Sequence, residues 1–181
     1  FGDVTESPFL YNTGNNELSA SDFNTAVSLA ESYVKINSKY TLEINTDDIS
    51  PINKNLTIDL NGVVFTVKEL STEMFEIGEG VRVTLKNGTL VKRGSKVSSS
   101  TSAVFSFAGD NSGLVIENAN VVSLINASLN DNTYKAAIFN PESVVGGVVG
   151  VNASAYHNSR SLTAKIQNTT GNKTLTAKWE S

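Results

Sequence analysis

One short phrase recurs along the middle of this chain and constrains its fold more than any other feature: two apolar residues around a variable one, then Asn, then Gly or Ala. It reads Ile58-Asp59-Leu60-Asn61-Gly62, Val83-Thr84-Leu85-Lys86-Asn87-Gly88, Leu114-Val115-Ile116-Glu117-Asn118-Ala119 and Val149-Gly150-Val151-Asn152-Ala153. Each copy leads into another apolar run, Val63-Val64-Phe65, Leu90-Val91, Val121-Val122 and Ala155-Tyr156. The unit is therefore a strand, a bend and a strand. The copies start 25, 31 and 35 residues apart, counting from Ile58 to Val83, Leu114 and Val149, a spacing that suits stacked coils with loops of uneven length. One such unit cannot bury its apolar side alone. Stacking supplies the missing partner and sets Asn61, Asn87, Asn118 and Asn152 above one another as an inward ladder of side-chain amides.

The chain has 181 residues, the size of one domain with a substantial core. Asn, Ser and Thr account for 60 of them and charged residues for only 18%, so the surface is neutral and hydrogen-bonding. A formal charge of -4 argues against nucleic acid as the main ligand. The absence of cysteine excludes disulfides, iron-sulfur clusters, Cys-ligated zinc and thiol catalysis. No apolar run reaches the roughly 18 residues of a membrane span. The chain begins at Phe1 rather than Met, the expectation for a processed product or fragment.

Residues 1–18, with Pro8, Gly14 and Asn15-Asn16, read as an extended arm. From Ser19, the stripe of Phe23, Ala26, Val27, Ala30, Tyr33 and Val34 predicts a helix over about 20–35, capped by Ser19 or Ser21. Tyr40 to Ile44 alternates like a strand. Met74 to Ile77 and Val104 to Phe107 do the same between motif copies, with Ala137 to Phe139 as a weaker counterpart. The segments 94–102 and 126–134 read as projecting loops. Leu162-Thr163-Ala164-Lys165 returns as Leu175-Thr176-Ala177-Lys178 around Thr170-Gly171-Asn172, which predicts a C-terminal β-hairpin within 161–181. The competing all-β architecture is an antiparallel β-sandwich, which also has short strands and frequent turns, but nothing in it requires the recurring Asn.

With these four motif copies and a preceding helix, residues 20–157 resemble the right-handed parallel β-helix superfamily, which includes pectate-lyase-like enzymes, phage tailspikes and surface adhesins. The resemblance implies an all-β fold: a short single-stranded right-handed parallel β-helix of about four or five coils over 19–160, with a capping helix at its start. It carries no catalytic residue onto any position here, because the superfamily spans lyases, hydrolases and structural virion proteins.

Sugar-cleaving members of such a fold need carboxylates grouped on one face. The variable motif residues Asp59, Thr84, Val115 and Gly150, read as outward-facing, form no acidic column. Asp59 with Glu76 and Asp110 with Glu117 are the pairs to inspect, while Asp47-Asp48, Glu79 and Asp131 lie near turns where acids are ordinary. Asp47-Asp48 or Asp110-Asn111 would supply two oxygen ligands to a cation without a recognised loop spacing, so no metal or other cofactor is expected. His157 is the lone histidine and reads as a surface residue. The glycines at 78, 80, 146 and 147 lack the lysine and helix of a phosphate loop. Arg82, Lys86, Lys92, Arg93 and Lys96 form a basic run suited to an acidic partner or to a solvated edge that discourages aggregation. Asn55, Asn87, Asn126, Asn152, Asn168 and Asn172 fit the glycosylation pattern, which is frequent by composition alone.

The expected role is that of a non-enzymatic structural protein that assembles with other protein subunits or with itself, as a processed phage virion component. The alternative is an extracellular or cell-surface adhesin or carbohydrate-binding module, with Tyr134, Tyr156 and Trp179 as glycan platforms. A small polysaccharide lyase or hydrolase is the third reading.

Overall fold

In the computed structural model, residues 7–40, 42–45, 49–68, 75–94, 104–109, 111–125, 147–157, 160–162, 167–170 and 173–180 are described. They are mostly strand, and the central strands pair in parallel in three columns. The first column stacks β3 (Tyr33–Ile36), β5 (Leu56–Asp59), the first halves of β8 (Arg82–Gly94), β10 (Gly113–Ile125) and β11 (Gly147–His157), and then β14 (Lys173–Glu180). The second stacks β4 (Leu42–Asn45), β6 (Val64–Lys68) and the second halves of β8, β10 and β11. In the third, Ile52 bridges to Ile77 of β7 (Phe75–Ile77), which pairs with β9 (Phe105–Phe107). From β3 to β9 each pass of the chain visits the columns in the same order. Alternate residues point inward, so Val34, Ile58, Leu85 and Ile116 are fully buried one above another.

The corner between the first two columns is made by the motif asparagines. Asn61, Asn87, Asn118 and Asn152 have φ of 53°, 64°, 49° and 50°, and among the described residues no other non-glycine residue has positive φ. Asparagine enters this left-handed region at lower cost than most residues, which is why it can redirect a strand in one step without glycine's entropy loss. The register aligns Asn87, Asn118 and Asn152, since Lys86 pairs with Glu117 and Glu117 with Val151. Asn61 falls outside that alignment. Asp59 pairs with Lys86 and Val64 with Thr89, so Leu60 to Val63 span a corner that Asn87 and Gly88 span in the next layer.

The asparagines are not an inward row. Asn61, Asn118 and Asn152 are exposed and Asn87 is half-buried, because a residue at an outer corner points away from the core. Three of the amides instead donate to the preceding pass. Asn152 Nδ2 reaches Asn118 Oδ1 at 2.8 Å, Asn87 Nδ2 reaches Asp59 Oδ1 at 3.3 Å, and Asn61 Nδ2 reaches the Ile36 carbonyl at 3.1 Å. The longer first corner also explains the choice of glycine after Asn87. A Cβ at Gly88 would lie 2.5 Å from Leu60 Cβ and 2.7 Å from the Val63 carbonyl oxygen, while Ala119 fits the same place one layer on. In the fourth copy, Val148 and Gly150 are the inward residues and Val149 and Val151 face out, one position away from the expected phase.

Of the expected arm, residues 1–6 lie outside the described residues, and residues 9–18 belong to a hairpin that runs on to Ala20. β1 (Phe9–Thr13) and β2 (Asn16–Ala20) pair antiparallel around Gly14, whose φ of 56° suits the first position of a tight turn. β1 also pairs antiparallel with β3 and so closes that end of the first column. The helix α1 covers only Phe23–Leu29, with Asp22 as its N-cap, accepting from Thr25 N at 2.9 Å. It stops early because Tyr33 and Val34, read as part of its stripe, belong to β3. Lys54 Nζ donates to the Ser28 and Ala30 carbonyls at 3.1 and 2.8 Å and satisfies acceptors at the helix end. Phe9, Phe23, Phe65, Phe75 and Phe105 run as a chain of ring contacts with centroids 5.6–6.0 Å apart, which ties hairpin and helix to the second and third columns.

At the other end, β12 (Arg160–Leu162) pairs antiparallel with β11, and β13 (Gln167–Thr170) with β14. The C-terminal hairpin thus uses Gln167–Thr170, not Leu162 to Lys165, as its first arm. Antiparallel pairing among the described residues is confined to these two ends, so the sandwich alternative does not describe the central strands. Ala137 to Phe139, residues 95–102 of the first expected loop and 126–134 of the second lie outside the described residues. Among those described, no helix is long and apolar enough to cross a membrane.

The crowding at Gly88 gives a direct test. Gly88→Ala is expected to destabilise the chain by about 1–3 kcal/mol in urea unfolding, because Leu60 and the Val63 backbone must shift. Ala119→Gly at the equivalent corner should cost only about 0.5–1 kcal/mol.

Candidate functional site

The outward side of the first column carries most of its charged side chains in register. Two rows of side chains cross it, fixed by strand parity and register. One contains Tyr33, Thr57, Thr84, Val115 and Val149, and the other Lys35, Asp59, Lys86, Glu117 and Val151. In the second row charges alternate in sign along the stack for four strands. Adjacent strands lie about 4.8 Å apart, so every charge has opposite neighbours. Val149 and Val151 continue the rows as exposed apolar residues, 41% and 40% accessible.

Beside β3 the face is held by a three-residue polar cluster. Tyr33 donates its hydroxyl to Glu17 Oε2 at 2.7 Å, and Lys35 Nζ lies 3.1 Å from the same oxygen. Asn12 fixes the start of β3, its Oδ1 accepting from the backbone N–H of Ser32 at 3.0 Å and of Tyr33 at 2.9 Å. The Tyr33 bond, and secondarily Lys35, hold the Glu17 carboxyl below its ordinary 4.5 against the opposing effect of burial. Glu17 in turn pushes the Tyr33 phenol up from 10.0 to about 12. A depression of ≈ 380 Å³ opens next to this cluster, lined by Ser32, Tyr33, Lys35, Thr57, Asp59 and Lys86. Asp59 is partly committed to the corner, since its Oδ1 accepts from Asn61 N–H at 2.8 Å and from the Asn87 amide. Among the described residues, the side chains of Lys86 and Glu117 make no hydrogen bond or ion pair.

The basic run does not form one patch. Arg82 and Lys86 point outward from the first half of β8, and the Arg82 guanidinium lies over Gly113 of the next strand. The chain turns at Asn87, which carries Arg93 onto the second column, near Glu43 and its ion-pair partner Lys68. Lys92 is 1% exposed, in the inward rank of Val67 and Ser123, and has an interaction partner. Its parity decides this: counting by two from the buried Leu90 lands inside. Lys96 lies outside the described residues.

Of the expected glycan platforms, Tyr156 is half-buried on the second column, Tyr134 lies outside the described residues, and Trp179 sits in β14, where side chains are not described. Asp59 and Glu76 belong to different columns and are not neighbours in any strand pair. Asp47, Asp48, Asp110 and Asp131 lie outside the described residues, and the His157 side chain is not described. Among the described residues no three His, Cys, Asp or Glu side chains gather as a cation site. The alternating charge row went unnoticed in the sequence because its members are 24, 27 and 31 residues apart, and only the register reveals it.

Tyr33→Phe should cost about 1 kcal/mol at neutral pH through loss of the hydroxyl–carboxylate bond. Because Glu17 titrates lower in the folded state, its contribution is complete above 4.5 and fades as pH falls through the lower folded value. The Tyr33 side of the pair is complete below 10.0 and is lost as pH rises through about 12. Urea unfolding of wild type and variant across pH should therefore show the difference shrinking at both extremes. No protein-family model, curated protein or solved structure matches the chain.

Proposed function

We propose that this chain is a short right-handed parallel β-helix that acts without catalysis, as a structural module assembling with protein subunits or with copies of itself. One observation carries this reading: the outward face of the first column is a register-locked ladder in which each carboxylate has a lysine on a neighbouring strand. Asp59 is bonded to the Asn61 and Asn87 nitrogens, and Glu117 stands beside Lys86. A general acid or nucleophile is most effective where carboxylates converge on one substrate atom, whereas alternating charges on a sheet face suit recognition of another surface. The exposed valines at its end add apolar contact area. A virion setting comes from the resemblance to tailspike-like folds and from no residue on this face.

A second reading, a surface glycan-binding module, is supported by the depression beside Tyr33, where hydroxyls and an aromatic ring stand together. The two readings separate on native source material. Particles isolated without denaturant, then cross-linked and analysed by mass spectrometry, are expected to contain this chain at fixed stoichiometry, joined to neighbouring subunits through residues of the first column. Recovery of the chain only as a free monomer that retains an oligosaccharide would overturn the assembly reading in favour of the second.

A further inference from the structure

The charge row on the first column is self-complementary, and we infer that this face docks onto the same face of a second copy of the chain. The twofold axis runs along the strands, between β5 and β8. This names the partner for the proposed assembly and rests on that reading.

A twofold axis along the strands reverses the order of the stack and keeps each row opposite its own counterpart. With the axis between β5 and β8, Lys35 faces Glu117 of the second copy, Asp59 faces Lys86, and the same two pairs recur in reverse. Within the row four pairs of opposite sign form and no like pair does, with Lys35 shared between Glu17 of its own chain and Glu117 of the second copy. Centring the axis on β5 sets Asp59 against itself and Lys35 against Lys86. Centring it on β8 sets Lys86 against itself and Asp59 against Glu117. Charge thus excludes an axis centred on β5 or β8, and of the axes that fall between strands only the one between β5 and β8 sets all four charges of the row against opposite ones, as expected of an isologous interface.

The neighbouring row fits the same alignment. Thr57 meets Thr84, so hydroxyls face each other across the axis, and Tyr33 meets Val115. Val149 and Val151, 41% and 40% exposed, come over β1 of the second copy and leave water. Lys86 and Glu117 are the members of the charge row whose side chains make no hydrogen bond or ion pair among the described residues, so each supplies an uncommitted charge to the contact.

Six strands at about 4.8 Å and five residues at about 3.3 Å give roughly 475 Å² of face per copy, or about 950 Å² for the pair. That area lies at the low end for specific contacts, so the dimer is reversible. Its ion pairs lie near solvent, so it weakens with salt.

Sedimentation velocity over a concentration series tests this with the whole chain. Wild type is expected to dimerise, and more weakly at ~0.5 M than at ~0.05 M salt. The double exchange Lys86→Glu with Glu117→Lys keeps the net charge and turns all four pairs into like pairs, so it should weaken dimerisation at least ~10-fold. The exchange Glu43→Lys with Lys68→Glu, on the second column, should leave it unchanged. Thermal melts of all three chains establish that each is folded. Dimerisation that survives the first exchange overturns this contact and puts self-association on another surface. A wild-type chain that is monomeric at every concentration also overturns it, and leaves assembly with other subunits to be judged by the particle measurement.

Discussion

The asparagine corner is the constraint on which the other features depend. A strand that must change direction once per pass needs a residue that tolerates positive φ, and its side chain must not leave a polar group unsatisfied. Asn61, Asn87, Asn118 and Asn152 do both, with φ between 49° and 64° and with three of their amides bonded to the pass below. Because each corner is fixed, residues two positions apart before and after it keep their inward or outward sense from one layer to the next. The buried ranks of Val34, Ile58, Leu85 and Ile116, and of Phe65, Leu90, Val121 and Ala155, follow from that phase. So does the charge row on the opposite side of the same strands.

A stack of this kind has two ends, and each must be closed or left as an open edge. At the N-terminal end the β1–β2 hairpin and α1 do this together, held by Phe9 and Phe23 packing on Phe65 and Phe75. The cap is thus joined to the core by aromatic contacts as well as by main-chain pairing with β3. At the C-terminal end β14 continues the first column in parallel, and β13 then turns back on it. The pairing changes from parallel to antiparallel at both ends.

Much of this was legible from the repeat, and the exceptions have physical causes. The strand–bend–strand units, the asparagines at the bends and the short strands at Phe75 and Phe105 all follow from short-range pattern. The helix is shorter than its apolar stripe because Tyr33 and Val34 continue that stripe by chance, while Tyr33 pairs with Thr57 and Val34 with Tyr11 and Ile58, all distant in sequence. The hairpin before Ser19 was read as an arm because its buried partners are β3 and α1, not its own neighbours. The fourth copy was read one residue out of phase because Val148 to Val151 has apolar or glycine residues at every position, so alternation gives no signal there. Lys92 was placed on the surface by its charge, and its inward parity becomes decisive only once Leu90 is known to be inside. The charge row required the register, which no local pattern supplies.

The parallel register of β8, β10 and β11 is tested most directly by solution NMR, using interstrand backbone contacts in an isotope-labelled sample. A parallel stack predicts contacts linking Lys86 to Glu117 and Glu117 to Val151, together with Gly88 to Ala119 and Ala119 to Ala153 across the corner. Contacts running the opposite way along these strands, as in an antiparallel sandwich, would contradict the stack and remove the basis for the corner, the charge row and the twofold contact alike.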